Sequence, residues 1–229
     1  MLHKILRLPK VLRKKDFFIR RDIKLLTLTF GSKNSAWTVR KDSINERSII
    51  YSFGVGNDIS FDLALIERFG STIHAFDPTP KSIQWVKDQK LPEKFIFHEI
   101  GLAAYNGTAN FILPKNPAHV SATILKTPDS NEFFIADVKR LKSIMCELSH
   151  CQIDILKMDI EGAEYNVIDD IIASDVIIKQ ILIEFHHRFR GVGISKTKDA
   201  VKKLRKSGYF VFHVSESGEE VSFINNQLC

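Results

Sequence analysis

The sequence predicts an α/β fold with a mostly parallel sheet and helices on both of its faces. Short apolar and β-branched runs alternate with segments of helical spacing along most of the chain, which is typical of parallel strands joined by crossover helices. A turn of small residues at 54–56 follows the first main strand. Two short strands, at 209–214 and 221–224, flank a polar turn and predict a closing antiparallel hairpin.

Length and composition fit one globular domain. The 229 residues are enough for a sizeable buried core, and 44% are hydrophobic while 26% are charged. Three cysteines without a ligand-like spacing predict neither a disulfide framework nor a zinc site, and they favour a reducing, cytoplasmic location. We find no apolar run of about 20 residues and no secretory pattern at the start.

The positive charge is concentrated in an N-terminal arm. Residues 1–24 hold nine Lys/Arg and two Asp, a balance of +7, so the rest of the chain is close to −1 and offers no basic surface for nucleic acid. We therefore divide the chain into an arm with a short strand, 1–30, and a single domain, 31–229. The arm is expected to pack on that domain, with Pro9 interrupting any long helix. A weak contact with an anionic membrane surface or an acidic partner is the alternative.

The first half of the domain centres on a βα unit at 49–77. Ahead of it we expect a short strand at 25–30 and a polar loop at 31–47, anchored by Trp37. The unit itself starts with a buried β-branched strand, turns at two glycines, begins its helix at an Asn-Asp signal and ends it before a glycine. Its second strand finishes at Asp77.

The remaining elements continue the alternation. The pattern predicts helices at 78–89, 138–149 and 196–206, and a further helix after Asp159 that ends near 173. It also predicts strands at 95–100, 153–158 and 179–185, and a hairpin at 101–113 with Asn106-Gly107 as its turn. A long polar connection, 114–132, holds His119, Ser121 and Thr123. Connections of this length are often lids or binding loops, so these three side chains are candidates for substrate contact.

The turn after the first main strand indicates a nucleoside cofactor. Asp77 lies 21 residues beyond Gly56, close to the offset of about 20 at which an acid reaches a ribose diol, and both NAD and S-adenosylmethionine (SAM) carry a ribose. A dinucleotide fingerprint has a third glycine, whose place is taken here by Ile59. Asp58 at the helix start would repel a diphosphate but attract a ligand with an ammonium and a sulfonium. The bland alternative is an ordinary tight turn.

Three segments together resemble the FkbM-type family of SAM-dependent methyltransferases. They are YSFGVGNDISFD (51–62) with HAFDPTP (74–80), then ILKMDIEGAEYNVI (155–168), and then ILIEFHHRF (181–189). The D-x-E-G-x-E string of the second segment is the most specific. The resemblance implies a Rossmann-like class I methyltransferase fold, with a mostly parallel seven-stranded sheet that ends in an antiparallel hairpin.

The resemblance also implies cofactor contacts. Gly54 and Gly56, with Phe53 beside them, would let the backbone approach the methionine part of SAM. The ribose hydroxyls would be held by Asp77, and the adenine would meet the residues that follow the next two strands, which are Pro78, Ile100 and Gly101. Asp159 would face the transferred methyl group. Many class I enzymes bind the methionine ammonium with an acid just before the first glycine; positions 52 and 53 are Ser and Phe here, so we expect Asp58 to take that role.

Candidate catalytic residues stand at the ends of two neighbouring strands. Asp159 and Glu161 follow the strand at 153–158, and Glu184 and His186 share one face of the next strand. Either His186 or Asp159 acts as the general base, or the carboxylates hold a divalent cation that lowers the pKa of the acceptor. Acids in a first helical turn, as at Glu161 and Glu164, are also favourable without a catalytic role, and a histidine after a strand is often structural.

These observations favour a SAM-dependent methyltransferase that acts on a hydroxyl of a sugar, a glycan or a small natural product. Two alternatives stay open. One is a binding or scaffolding protein that uses a methyltransferase fold and the basic arm. The other is an NAD-dependent oxidoreductase, which conflicts with Asp58 and leaves the D-x-E-G-x-E string unexplained.

Overall fold

The structure is a computed structural model, and it describes residues 2–13, 15–33, 35–113, 122–124, 132–189 and 191–228. The helices are α1 (Leu2–Leu12), α2 (Ser60–Phe69), α3 (Pro80–Lys87), α4 (Leu141–Glu147), α5 (Glu164–Ala173) and α6 (Ile194–Lys206). The strands are β1 (Thr27–Phe30), β2 (Trp37–Arg40), β3 (Ile49–Phe53), β4 (Thr72–Phe76), β5 (Phe95–His98), β6 (Gly101–Leu102), β7 (Gly107–Ile112), β8 (Phe133–Lys139), β9 (Gln152–Met158), β10 (Ile177–Glu184), β11 (Tyr209–Val214) and β12 (Glu220–Asn225). Within these residues, every helix is too short or too polar to cross a bilayer.

A seven-stranded sheet forms the centre of the molecule, which confirms the predicted fold class. Its order is β11-β12-β10-β9-β3-β4-β5, and β12 is antiparallel to both of its neighbours while the other neighbouring pairs are parallel. From β3 the chain adds strands first to one side and later to the other, so the strand order reverses between β3 and β9. A crevice at the carboxyl ends of these strands is where open α/β sheets bind ligands.

Helices cover both faces of the sheet, as the alternating pattern predicts. One apolar cluster joins Tyr51 and Phe53 of β3 to buried residues of α4, α5 and α6. A second cluster joins Ile50, the next residue on the opposite side of β3, to buried residues of α2, α3 and β2. Because successive strand residues point to opposite faces, a strand buried on both sides reads as a continuous apolar run, as β3 does.

Among the described residues, two small sheets lie outside the central one, and they correct three predictions. The predicted loop at 31–47 contains β2, which pairs antiparallel with β1 and buries Trp37 and Val39. The predicted hairpin at 101–113 is wrong, because β6 and β7 both pair with β8 rather than with each other. The strand β8 also takes up the residues before Leu141, where the predicted helix therefore begins later than expected.

The N-terminal arm forms a helix that runs through Pro9, so the expected interruption does not occur. Among its described side chains, Leu8 and Leu12 are exposed, whereas Arg7 is buried. The Arg7 guanidinium donates to the Asp16 carboxylate at 2.7 and 3.0 Å. A buried ion pair therefore joins the helix to the segment of the arm that follows it.

Candidate active site

A cavity of about 440 Å³ opens at the carboxyl ends of β3, β4 and β9. Most of the predicted cofactor residues line it: Phe53, Gly54, Gly56, Asp58, Asp77, Pro78, Gly101 and Asp159. Ile100 does not, because its side chain packs against the main apolar cluster. Glu161 lines the cavity as well, and Glu184 and His186 lie beside it, next to Asp159.

The two glycines of the turn meet different constraints. Both have positive φ, +82° at Gly54 and +56° at Gly56, in the region that L side chains rarely adopt. A Cβ at Gly54 would lie 1.9 Å from the carbonyl oxygen of Asp159, whereas a Cβ at Gly56 would meet nothing within 4 Å. Gly54 is therefore required for the close approach of the β3 and β9 loops, and Gly56 only for its backbone conformation.

Backbone N–H groups of this turn already donate hydrogen bonds to carboxylates of the chain itself. The N–H groups of Val55 and Gly56 donate to Asp77 Oδ2 at 3.0 and 2.9 Å. The N–H of Ser60, the first residue of α2, donates to Asp58 Oδ1 at 2.9 Å. A pyrophosphate needs such N–H groups at a helix start, and here these three already have an anionic acceptor. Asp77 thus shapes the turn in addition to lining the cavity.

Asp58 is held in a charged state at the cavity wall. Ser32 Oγ donates to its Oδ2 at 2.6 Å. Burial alone would raise the pKa of Asp58, but the hydrogen bonds from Ser32 and Ser60 outweigh it and bring the pKa below its usual value. The described lining residues include four acids, Asp58, Asp77, Asp159 and Glu161, and no lysine, arginine or histidine. The cavity therefore favours a positively charged ligand.

Lys157 is hydrogen-bonded to the backbone of the turn, and the sequence analysis did not identify it. It is 3% exposed, and its Nζ donates to the carbonyls of Phe53 and Gly54 at 3.3 and 2.8 Å. The Nζ also lies 5.2 Å from the centre of the Trp37 ring. A lysine within the apolar run ILKM was the available signal, because burying an ammonium is costly unless it is paired.

The loop after β9, which carries Glu161, has an unusual backbone conformation. Glu161 has φ +50°, a strained conformation for a residue with a side chain, and Gly162 follows with φ +99°. Thr123 Oγ1 donates to the Glu161 carbonyl at 2.5 Å, so this predicted substrate contact serves to hold the loop. His119 and Ser121, the other two candidates of that connection, lie outside the described residues.

His186 lies at the centre of a cluster of four carboxylates. Its Nδ1 is 2.8 Å from Oε1 of Glu164, a fully buried residue of α5. Its Nε2 lies 3.4 Å from Glu161, 3.6 Å from Asp159 and 3.9 Å from Glu184. The structure thus brings the four predicted catalytic residues together and adds Glu164, whose place in a first helical turn gave no sign of this contact.

The cluster shifts the pKa of three of its members. Burial raises the pKa of Asp159 to about 6, and burial with the charge of Asp159 raises the pKa of Glu184 to about 8. Burial alone would lower the pKa of His186, but the hydrogen bond to Glu164 and the surrounding charges raise it to about 10. Perturbed groups of this kind are typical of functional sites.

Comparison with known proteins is consistent with this geometry. The model of the FkbM methyltransferase domain matches residues 45–211. The chain is 27% identical to probable methyltransferase-like protein 24 of Homo sapiens, over 74% of this chain and 43% of that protein, and 27% identical to its Rattus norvegicus counterpart, over 72% and 42%. It thus spans less than half the length of these relatives.

The chain is also similar to a solved structure. The crystal structure of methyltransferase FkbM from Methylobacillus flagellatus KT matches with a TM-score of 0.47 and 15% identity, over 79% of this chain and 44% of the other. The family model covers more than half of the chain and includes the turn after β3, the loop after β9 and the strand end at Glu184. The resemblance read from the sequence is therefore confirmed, and the chain belongs to the FkbM methyltransferase family.

Proposed function

We propose that the protein is a SAM-dependent methyltransferase that acts on a hydroxyl of a sugar, a glycan or a small natural product. One observation carries the cofactor assignment: the cavity wall holds four acids, and three amides that would bind a pyrophosphate already donate to Asp77 and Asp58. A diphosphate would meet repulsion there, whereas a ligand with an ammonium and a sulfonium would be attracted.

The lining residues fit such a ligand by type and place. Asp58, which is charged, would bind the ammonium of the methionine part above the two glycines. Asp77 keeps acceptor capacity on Oδ1, which takes a single N–H bond in the described structure, from Thr79 at 2.8 Å. It would bind a ribose hydroxyl, with Pro78 and Gly101 beside the base. When bound, SAM supplies a methyl group that its sulfonium already activates.

The acceptor would lie between the cavity and the His186 cluster. Asp159 and Glu161 are the cluster members that line the cavity, so a carboxylate of this pair receives the proton of the acceptor hydroxyl. The oxygen would then receive the methyl group that SAM supplies, and S-adenosylhomocysteine would be the second product. The chain contributes mainly by positioning the hydroxyl and by accepting its proton.

Ligand binding tests the cofactor, and product analysis tests the reaction. We expect SAM and S-adenosylhomocysteine to raise the melting temperature of the protein, while NAD at the same concentration does not. Methyl-labelled SAM with a panel of sugars and phenolic natural products should give an alkali-stable methyl ether. Stabilisation by NAD, or by none of the three ligands, would contradict the proposal, as would label on nitrogen or carbon.

A further inference from the structure

The His186 cluster has the arrangement of a metal site. One oxygen each from Asp159 and Glu184 and one nitrogen of His186 lie within 4.8 Å of one another. Bonds to a divalent metal are about 2.0–2.2 Å, so two ligand atoms on opposite sides of one ion are about 4.4 Å apart. Three atoms at this spacing can therefore move onto a single ion with small side-chain adjustments.

The hydrogen bond between His186 Nδ1 and Glu164 leaves Nε2 of the ring facing the other carboxylates as a metal ligand. A carboxylate only accepts, so Nδ1 of His186 donates to Glu164. Glu164 is fully buried, and its Oε1 also accepts the N–H of Gly162 at 3.0 Å, so its position is fixed. A carboxylate behind a histidine in this way orients the ring of a metal ligand and raises its basicity.

One buried polar atom that faces the cluster has no hydrogen-bond partner within the described chain, and it is Asp159 Oδ1. Beside it, the His186 side chain is 7% exposed, and its Nε2 has only long contacts of 3.4–3.9 Å to three carboxylate oxygens. A cation that displaces the proton on Nε2 would bind the nitrogen and the oxygen together.

We propose that Asp159, Glu184 and His186 bind one divalent first-row metal cation, of which Mn²⁺ is a suitable probe. Two carboxylates and an imidazole form a mixed oxygen and nitrogen set that suits this class. The ion lies beside the cavity, where it would bind the acceptor oxygen and lower the pKa of its hydroxyl. Glu161 then stays free to take the proton. This catalytic use depends on the proposed function, whereas binding of the ion does not.

Metal binding is measured on the full chain after dialysis against a chelator, without SAM. Titration calorimetry should show one Mn²⁺ per chain, and pulsed EPR should show coupling to a nitrogen nucleus. Glu184→Gln should weaken binding at least tenfold. His186→Gln should do the same and remove the nitrogen coupling. The control is Glu220→Gln, which removes a carboxylate opposite Glu184 in the neighbouring strand and should change the affinity less than threefold.

Three results would overturn the proposal. They are no saturable binding at 1 mM Mn²⁺, binding without nitrogen coupling, and equal weakening by Glu220→Gln and Glu184→Gln. Circular dichroism of each variant shows that it is folded, and Glu184→Gln decides the question if His186→Gln is not. SAM binding to the same samples is scored separately, so the metal site and the cofactor assignment can fail independently of each other.

Discussion

Gly54 and Gly56 have similar backbone conformations, yet the structure gives their replacement different consequences. We predict that Gly54→Ala lowers the free energy of unfolding by about 3 kcal/mol or more and abolishes SAM binding, because its Cβ would overlap the Asp159 carbonyl. The matched Gly56→Ala should cost only about 1–2 kcal/mol, since its Cβ enters open space. Urea unfolding and calorimetry measure both effects. Equal costs for the two variants would contradict the close approach.

The role of Asp58 can be separated from that of the nucleoside site. We predict that Asp58→Asn weakens SAM and S-adenosylhomocysteine about tenfold each, because both carry the ammonium that this carboxylate would bind. Methylthioadenosine, which lacks the amino-acid part, should bind parent and variant alike. Calorimetry with the three ligands measures this pattern. Equal weakening of all three would instead mean that Asp58 acts only through the shape of the turn.

Sequence reasoning placed three candidate site residues at the carboxyl ends of strands, and the structure has them there. These residues, Asp77, Asp159 and Glu184, could be identified from the sequence because the carboxyl ends of parallel strands meet at one edge of the sheet. Glu164 could not be identified in this way, since acids are common in a first helical turn, where they interact favourably with the helix dipole. Glu161 and Gly162 both have positive φ in the turn before α5, and Glu164 of this helix contacts His186.

At the scale of elements, local turn signals did not predict the strand pairs whose members are far apart in the sequence. Asn106-Gly107 is a strong hairpin signal, yet Asn106 donates to Ser143 Oγ and accepts the N–H of Arg140, so it ties the turn to the start of α4. The partner of β7 is β8, which lies beyond the long connection at 114–132. Strand pairing of this kind depends on burial in the folded molecule rather than on turn residues.

The N-terminal arm is joined to the loop after β10 through Asp16, which is 1% exposed. Arg188 donates to its Oδ2 at 2.7 Å, and Arg7 binds it from the other side. Burial alone would raise the pKa of Asp16, but the hydrogen bonds from Arg7 and Arg188 bring it well below the usual range. This carboxylate therefore stabilises the fold at neutral pH, and the contribution is lost as the pH falls below about 4.

We predict that Asp16→Asn lowers the free energy of unfolding at pH 7 by about 3 kcal/mol, because it leaves two guanidinium groups without their carboxylate. Asp169→Asn is the matched control. It breaks an ion pair with Lys203 in which both side chains are about half exposed, so its cost should stay below about 1 kcal/mol. Urea unfolding measures both variants. Similar costs would show that the buried network adds nothing beyond a surface pair.

At the scale of the whole molecule, the sequence predicted the central sheet well. Each of its strands is an apolar run flanked by turn or cap signals, and the alternation with helices fixes parallel neighbours. The pattern did not predict β2 or β8, which belong to small sheets at the periphery. In β8 the exposed side carries the apolar residues Phe133 and Ile135, so apolar and polar residues do not alternate there.

A group of three histidines should make the stability of the whole molecule depend on pH. His74 of β4 has its Nδ1 3.0 Å from His98 Nε2, and its ring meets that of His150 at 5.0 Å. Burial lowers the pKa of all three, that of His74 to about 4. In the unfolded chain a histidine titrates near 6.5, so between pH 6.5 and 4 the unfolded state binds more protons. The histidines therefore stabilise the fold above pH 6.5, and this contribution is lost as the pH falls toward 4.

We predict that His74→Phe, which keeps an aromatic ring but cannot titrate, removes part of this acid sensitivity. Between about pH 6 and 4.5 the free energy of unfolding of the parent should fall faster than that of the variant, by up to about 1.4 kcal/mol per pH unit, because one proton fewer is taken up. Urea unfolding at a series of pH values gives the two slopes. The His186 cluster titrates in both proteins, so its contribution cancels in the difference between the two slopes. Asp16→Asn is the control: Asp16 titrates at lower pH, so this variant should keep the parent's slope of unfolding free energy against pH. Parallel curves for the parent and His74→Phe would show that His74 is not held neutral in the folded protein.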